Sequence, residues 1–81
     1  MNIDSFIAEL EDALGDHAKG RLTPGAKLRE FSWWDSLSLL TTMTVFDSYF
    51  GTQISDREIT SRDTVEAIFE LGLSRRKSLE K

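Results

Sequence analysis

The sequence contains no cysteine, one histidine and one proline. Without cysteine there can be no disulfide, no thiolate metal site and no Cys/His catalytic pair, and a lone His17 excludes a histidine-rich metal centre. Nowhere do roughly 18 consecutive apolar residues occur. The opening Met1-Asn2-Ile3-Asp4-Ser5 lacks the basic and apolar regions of a secretory leader. Membrane spanning and secretion are therefore not expected, and a chain without disulfides suits a reducing compartment, so the cytoplasm is the expected location. Positive charge is scarce over residues 1–70, where thirteen acidic side chains face six basic ones, a balance of −7. Only residues 71–81 are basic, with Arg75, Arg76, Lys77 and Lys81 against Glu80, a balance of +3. An acidic body repels phosphate backbones, so nucleic acid is not an expected partner.

What is present is enough for one small domain of 81 residues, in which roughly 60% of the unfolded surface is buried on folding. Residues 1–73 are expected to form that domain and residues 74–81 a flexible basic tail. Ile3, Phe6, Ile7, Leu10 and Leu14 recur at three- and four-residue steps with acids between them, which predicts an amphipathic helix ending at Gly15. Residues 15–35 hold three glycines and Pro24 and read as a long connection anchored by Leu28 and Phe31. The stretch 36–50 is rich in strand-favouring residues, yet Leu39, Met43, Phe46 and Phe50 step by four, three and four, and Leu40 widens that stripe. Spacing outweighs propensity, and a helix held by its packing is expected. Gly51 ends it, a short helical turn follows between Ile54 and Ile59, and Asp63 or Thr64 caps a last helix through Val65, Ile68, Phe69 and Leu71 to Gly72. The expected fold is all-α: three longer helices, one short helix, and a long loop between the first and second.

Chemistry has few places to sit. His17 lies in a polar loop and reads as an exposed loop histidine, although a small hydrolase pairing Ser36 with His17 is an alternative. The Trp33-Trp34-Asp35-Ser36-Leu37 run places a serine at the amino end of the second helix. Asp and Ser are favoured at helix starts for capping alone. A serine there also presents its hydroxyl where unpaired N–H groups and the helix dipole favour an attached phosphate.

Around this serine the chain resembles the acyl carrier protein family, with its peptidyl and aminoacyl carrier relatives, over about residues 3–71. The resemblance rests on Leu28-x-x-Phe31-x-x-Trp34-Asp35-Ser36-Leu37, then Phe50-Gly51-x-x-Ile54, then Thr64-Val65-x-x-Ile68, in order and at family spacing. It implies an acyl-carrier-type four-helix bundle, monomeric, whose Ser36 is esterified with 4′-phosphopantetheine taken from coenzyme A by a phosphopantetheinyl transferase. A cysteine-free chain must import the thiol for a thioester, which agrees with that role. The resemblance implies a carrier rather than an enzyme, a substrate for an acyl- or aminoacyl-loading enzyme and for a downstream synthase or transferase. The tether raises the effective concentration of cargo at each partner.

By the same resemblance Trp33, Asp35, Leu37, Ser38, Thr41, Asp47 and Asp56 are expected near docked partners. Trp34 is expected to pin the loop to the core, and Trp33, next in sequence, to point elsewhere, toward the surface. Leu40, Met43, Phe46, Ile54, Ile59 and Ile68 form either plain core or an acyl pocket, with bulky Phe46 and Phe50 favouring short or polar cargo. Typical fatty-acid carriers have an acidic second helix, whereas residues 38–48 hold Asp47 as their only acid. Weaker electrostatic steering and dedicated partners in a specialised biosynthetic pathway follow from that departure. A freestanding acyl carrier is the leading expectation. An aminoacyl or peptidyl carrier, and an unmodified helical interaction module, are the alternatives.

Overall fold

A computed structural model describes residues 2–62 and 64–79. Among the described residues there are four α-helices and no strand: α1 (Ile3–Leu14), α2 (Ser36–Phe50), α3 (Asp56–Ser61) and α4 (Val65–Leu79). This agrees with the expected three longer helices and one short one. Each boundary has a local cause. Asn2 caps α1 by accepting from the Ser5 N–H at 2.9 Å, and Gly15, with φ +104°, closes it through a bond to the Glu11 carbonyl. Asp35 caps α2, and Gly51 ends it in the left-handed region at φ +73°. A reciprocal capping box between Ser55 and Glu58 starts α3. Thr64 Oγ1 accepts from the Ala67 N–H at 3.1 Å and so caps α4; the alternative cap, Asp63, lies outside the described residues.

The loop between α1 and α2 is tied down along its length. Ala18, Leu22 and Leu28 are buried, Leu28–Glu30 forms a 3₁₀ turn, and the Glu11 carboxylate accepts from the Gly20 and Leu22 N–H groups. Its second half is bonded to the first turn of α4: Val65 N–H donates to the Ala26 carbonyl and Glu66 N–H to that of Pro24. These bonds satisfy backbone groups that a bare loop would leave unpaired. The core beneath is aromatic at its centre, where Phe6 packs against Phe50 and Phe69 with ring centroids 5.4 and 5.7 Å apart and Phe46 lies 4.8 Å from Phe50.

Two expectations need correction. Gly72 does not stop α4, which runs on to Leu79. Gly72 is buried, and a Cβ there would collide with three ring atoms of Phe50, so the glycine permits a close helix approach instead of a chain reversal. Leu40 does not belong to the core stripe of α2, because the buried face is Ser38, Thr42, Val45, Phe46 and Phe50. Both hydroxyls on that face are satisfied: Thr42 Oγ1 donates to the Ser38 carbonyl at 2.9 Å, and Ser38 Oγ donates to the Trp33 carbonyl at 3.4 Å.

Candidate functional site

Ser36 is the first residue of α2 and is exposed. Its hydroxyl takes part in no hydrogen bond among the described residues. The residue before it does the capping: Asp35 Oδ1 accepts from the Ser38 N–H at 2.8 Å. That bond is the main reason the Asp35 carboxyl is held below its ordinary range, with further help from the Ser38 hydroxyl, the Leu37 N–H and the charge of His17. Asp35 therefore fixes the start of the helix and leaves the Ser36 hydroxyl free. Leu37, next in sequence, is 71% exposed. An apolar side chain so uncovered beside a free hydroxyl stands out in a domain that hides most of its large apolar residues.

One surface concavity lies at this end of α2 and a second farther along the helix. The first, of about 190 Å³, is lined by Ala13, Leu14, His17, Trp33, Asp35, Leu37, Ser38 and Thr41. The structure thus brings five of the seven expected docking residues to one rim. It does not leave them all accessible, because Ser38 is buried with its hydroxyl turned to the Trp33 carbonyl, and its place in a docking set is withdrawn. Asp47 and Asp56 are exposed but lie elsewhere, Asp47 eleven residues along α2, about 16 Å from Ser36 along the axis.

The second concavity, of about 320 Å³, lies between α2 and the segment leading to α3 and is lined by Leu40, Met43, Thr44, Asp47, Gln53 and Ile54. Of the residues expected to form an acyl pocket, Leu40, Met43 and Ile54 meet there. Phe46, Ile59 and Ile68 do not; they are buried in the packed core behind it. Leu40 is 58% exposed, so the groove opens to solvent.

Trp33 corrects a further expectation. It does not point freely outward but is half-buried, stacked on Phe31 at 4.9 Å and in contact with the His17 ring at 4.8 Å, and its Nε1 is buried without a partner among the described residues. Trp34 lies against the loop and α3, lining a crevice with Leu28, Ile59 and Arg62. His17 is exposed as expected, and no hydrogen bond joins it to Ser36 among the described residues. Its ring packs on the Trp33 indole and forms a wall of the concavity it shares with Asp35 and Leu37. Among the described residues no group of three or more His, Asp or Glu is placed to hold a metal ion, and no helix is long and apolar enough to cross a membrane.

Sequence reasoning did not reach the roles of His17 as a wall of the first concavity or of Gln53 as a wall of the second, since both are contacts across loops without periodicity. Comparisons with protein-family models, curated proteins and solved structures found no match.

Proposed function

We propose that this protein is a carrier of the acyl carrier type, modified on Ser36 with 4′-phosphopantetheine by a phosphopantetheinyl transferase and served in turn by a loading enzyme and a downstream synthase or transferase. The single observation that carries the reading is the exposed, internally unbonded Ser36 hydroxyl at the first position of a helix whose cap is supplied by its neighbour. An attachment site needs a hydroxyl that a transferase can reach and whose esterification breaks nothing inside the fold, and Ser36 meets both conditions. The group fits without a preformed cradle, because a tether attached by one bond must leave the surface to reach its partners. When bound it supplies a thiol for thioester chemistry, which a cysteine-free chain lacks.

The residues around Ser36 have separable parts in this role. Asp35 caps the amino end of α2 and so fixes the backbone that carries the Ser36 hydroxyl. Leu37 gives a partner an apolar contact one residue from the attachment point. The closed packing of Phe46, Ile59 and Ile68 supports short or polar cargo, since a long chain finds no open interior. Residues 38–48 carry one acid, which supports dedicated partners over the general enzymes of fatty-acid synthesis. The protein is then a substrate of other enzymes, and the proposed compartment is the cytoplasm.

The test uses coenzyme A with a fluorophore on its thiol, magnesium and a broad-specificity phosphopantetheinyl transferase. A fluorescent band from the wild-type chain, absent from Ser36→Ala, is expected. A folded wild-type sample that stays dark while a control carrier is labelled would reject the proposal in favour of an unmodified interaction module.

A further inference from the structure

The carboxyl-terminal half of α4 reaches the wall of the groove between α2 and α3. Arg75 Nη1 donates to the Gln53 carbonyl at 2.6 Å, and Arg75 Nη2 pairs with Glu58 Oε2. Glu58 is also the third residue of α3, where its carboxylate accepts from the Ser55 N–H at 3.0 Å. One turn of α4 therefore holds the segment before α3 and α3 itself. Gln53 and Ile54 of that segment form one wall of the groove, and Leu40, Met43, Thr44 and Asp47 of α2 form the other.

Widening this seam means moving Gln53, Ile54 and α3 away from α2. Two kinds of contact resist. Ile54 and Ile59 are buried, and drawing them out exposes apolar area. The guanidinium links differ, because the Arg75 and Glu58 side chains are 32% and 31% exposed and water can replace either partner at small cost. Contacts of that kind open locally without unfolding the domain.

We propose that Arg75 is a latch on the α2–α3 seam and sets how far the groove opens. With Arg75 seated, Gln53 and α3 stay against α2 and only a shallow groove is available. With Arg75 released, the segment 52–58 swings outward and Met43 becomes accessible to bulky molecules. The planar guanidinium is needed, since it serves a carbonyl and a carboxylate at once, which a single ammonium does less well. The proposal stands apart from the carrier reading, because it concerns access to a groove in the unmodified chain.

The absence of native cysteine makes the test clean. A Met43→Cys chain reports on the groove, and a Ser48→Cys chain reports on the opposite side of α2, facing Glu9 and Asp12. Each is labelled with a bulky fluorescent maleimide in the Arg75, Arg75→Lys and Arg75→Ala backgrounds. Arg75→Ala is expected to speed labelling at position 43 by about tenfold and leave that at position 48 unchanged, with Arg75→Lys between. Should Arg75→Ala fail to fold, Glu58→Gln breaks the ion pair with a side chain that still accepts from Ser55, and faster labelling at position 43 is again expected. An unchanged rate at position 43 in the folded variants, or equal acceleration at both positions, would overturn the proposal.

Discussion

Ser36 and Gly72 show how differently two small residues are constrained. The Ser36 side chain is exposed and unbonded, so Ser36→Ala is expected to change unfolding free energy by less than about 0.5 kcal/mol while abolishing modification. Urea denaturation of both proteins checks the first half. Gly72 is the opposite case: it carries no chemistry, and its missing Cβ is what lets α4 approach Phe50. In an open helix Gly→Ala stabilises by up to about 1 kcal/mol. Here Phe50 is fully buried and has no room to yield, so Gly72→Ala is expected to destabilise by about 1–3 kcal/mol. A denaturation midpoint at or above that of the wild type would show that the Phe50 ring can move. The sequence supplied the glycine but not the ring it faces, and a stop signal was the natural reading of it. Leu40 was misread for a related reason. The true core stripe passes through Ser38 and Thr42, whose hydroxyls are bonded to the Trp33 carbonyl in the preceding loop and to the Ser38 carbonyl, and a pattern of apolar residues cannot reveal buried polar ones.

At the scale of elements, the helices were legible because their signals are local. Apolar steps of three and four residues located α1 and α2, and the Ser55/Glu58 capping box explains why so short a helix as α3 forms. The same box makes α3 sensitive to acid. The Ser55 N–H, the Arg75 guanidinium and the Ser55 hydroxyl hold the Glu58 carboxyl below its ordinary value of 4.5 in the folded state. A depressed folded value means that the stabilising contribution is fully present above about pH 4.5 and is lost as pH falls through the folded value. Asp35 has the same sign at the start of α2, with loss beginning near 3.8. Thermal midpoints measured from pH 6 to pH 3 are expected to fall less steeply for Glu58→Gln than for the wild type, because the variant has no proton to take up there. Parallel slopes would show that Glu58 contributes nothing to the acid response. The links from α4 to α3 were not legible, since Arg75 and Glu58 stand 17 residues apart in a region that reads as a tail.

For the whole molecule, a small all-helical bundle depends on few residues. Phe6 is fully buried and touches Tyr49, Phe50 and Phe69, so it joins α1, α2 and α4. Phe6→Ala is expected to cost about 3–5 kcal/mol, a large share of the roughly 5–15 kcal/mol available to a domain. Loss of the cooperative unfolding transition by circular dichroism would be the visible result; a shift below about 1 kcal/mol would contradict the assigned core. The helical class, the long first loop and the place of Ser36 could be read from the sequence because each is set by periodicity, glycine placement and capping. The two grooves were legible only in part: Leu40, Met43 and Ile54 of one and Trp33, Asp35, Leu37 and Thr41 of the other were expected, but the walls that close them, Gln53 and His17, come from segments with no shared pattern.

The carrier reading binds these scales together, since it asks the fold only to hold one serine hydroxyl outward on a firm helix end. Intact-protein mass after incubation with coenzyme A, magnesium and a broad-specificity phosphopantetheinyl transferase tests it most directly, with Ser36→Ala alongside. The reading predicts the gain of one phosphopantetheine group by the wild type and none by the variant. No gain from a folded wild-type sample, with a control carrier fully modified in the same tube, would contradict it, as would a gain that persists in Ser36→Ala.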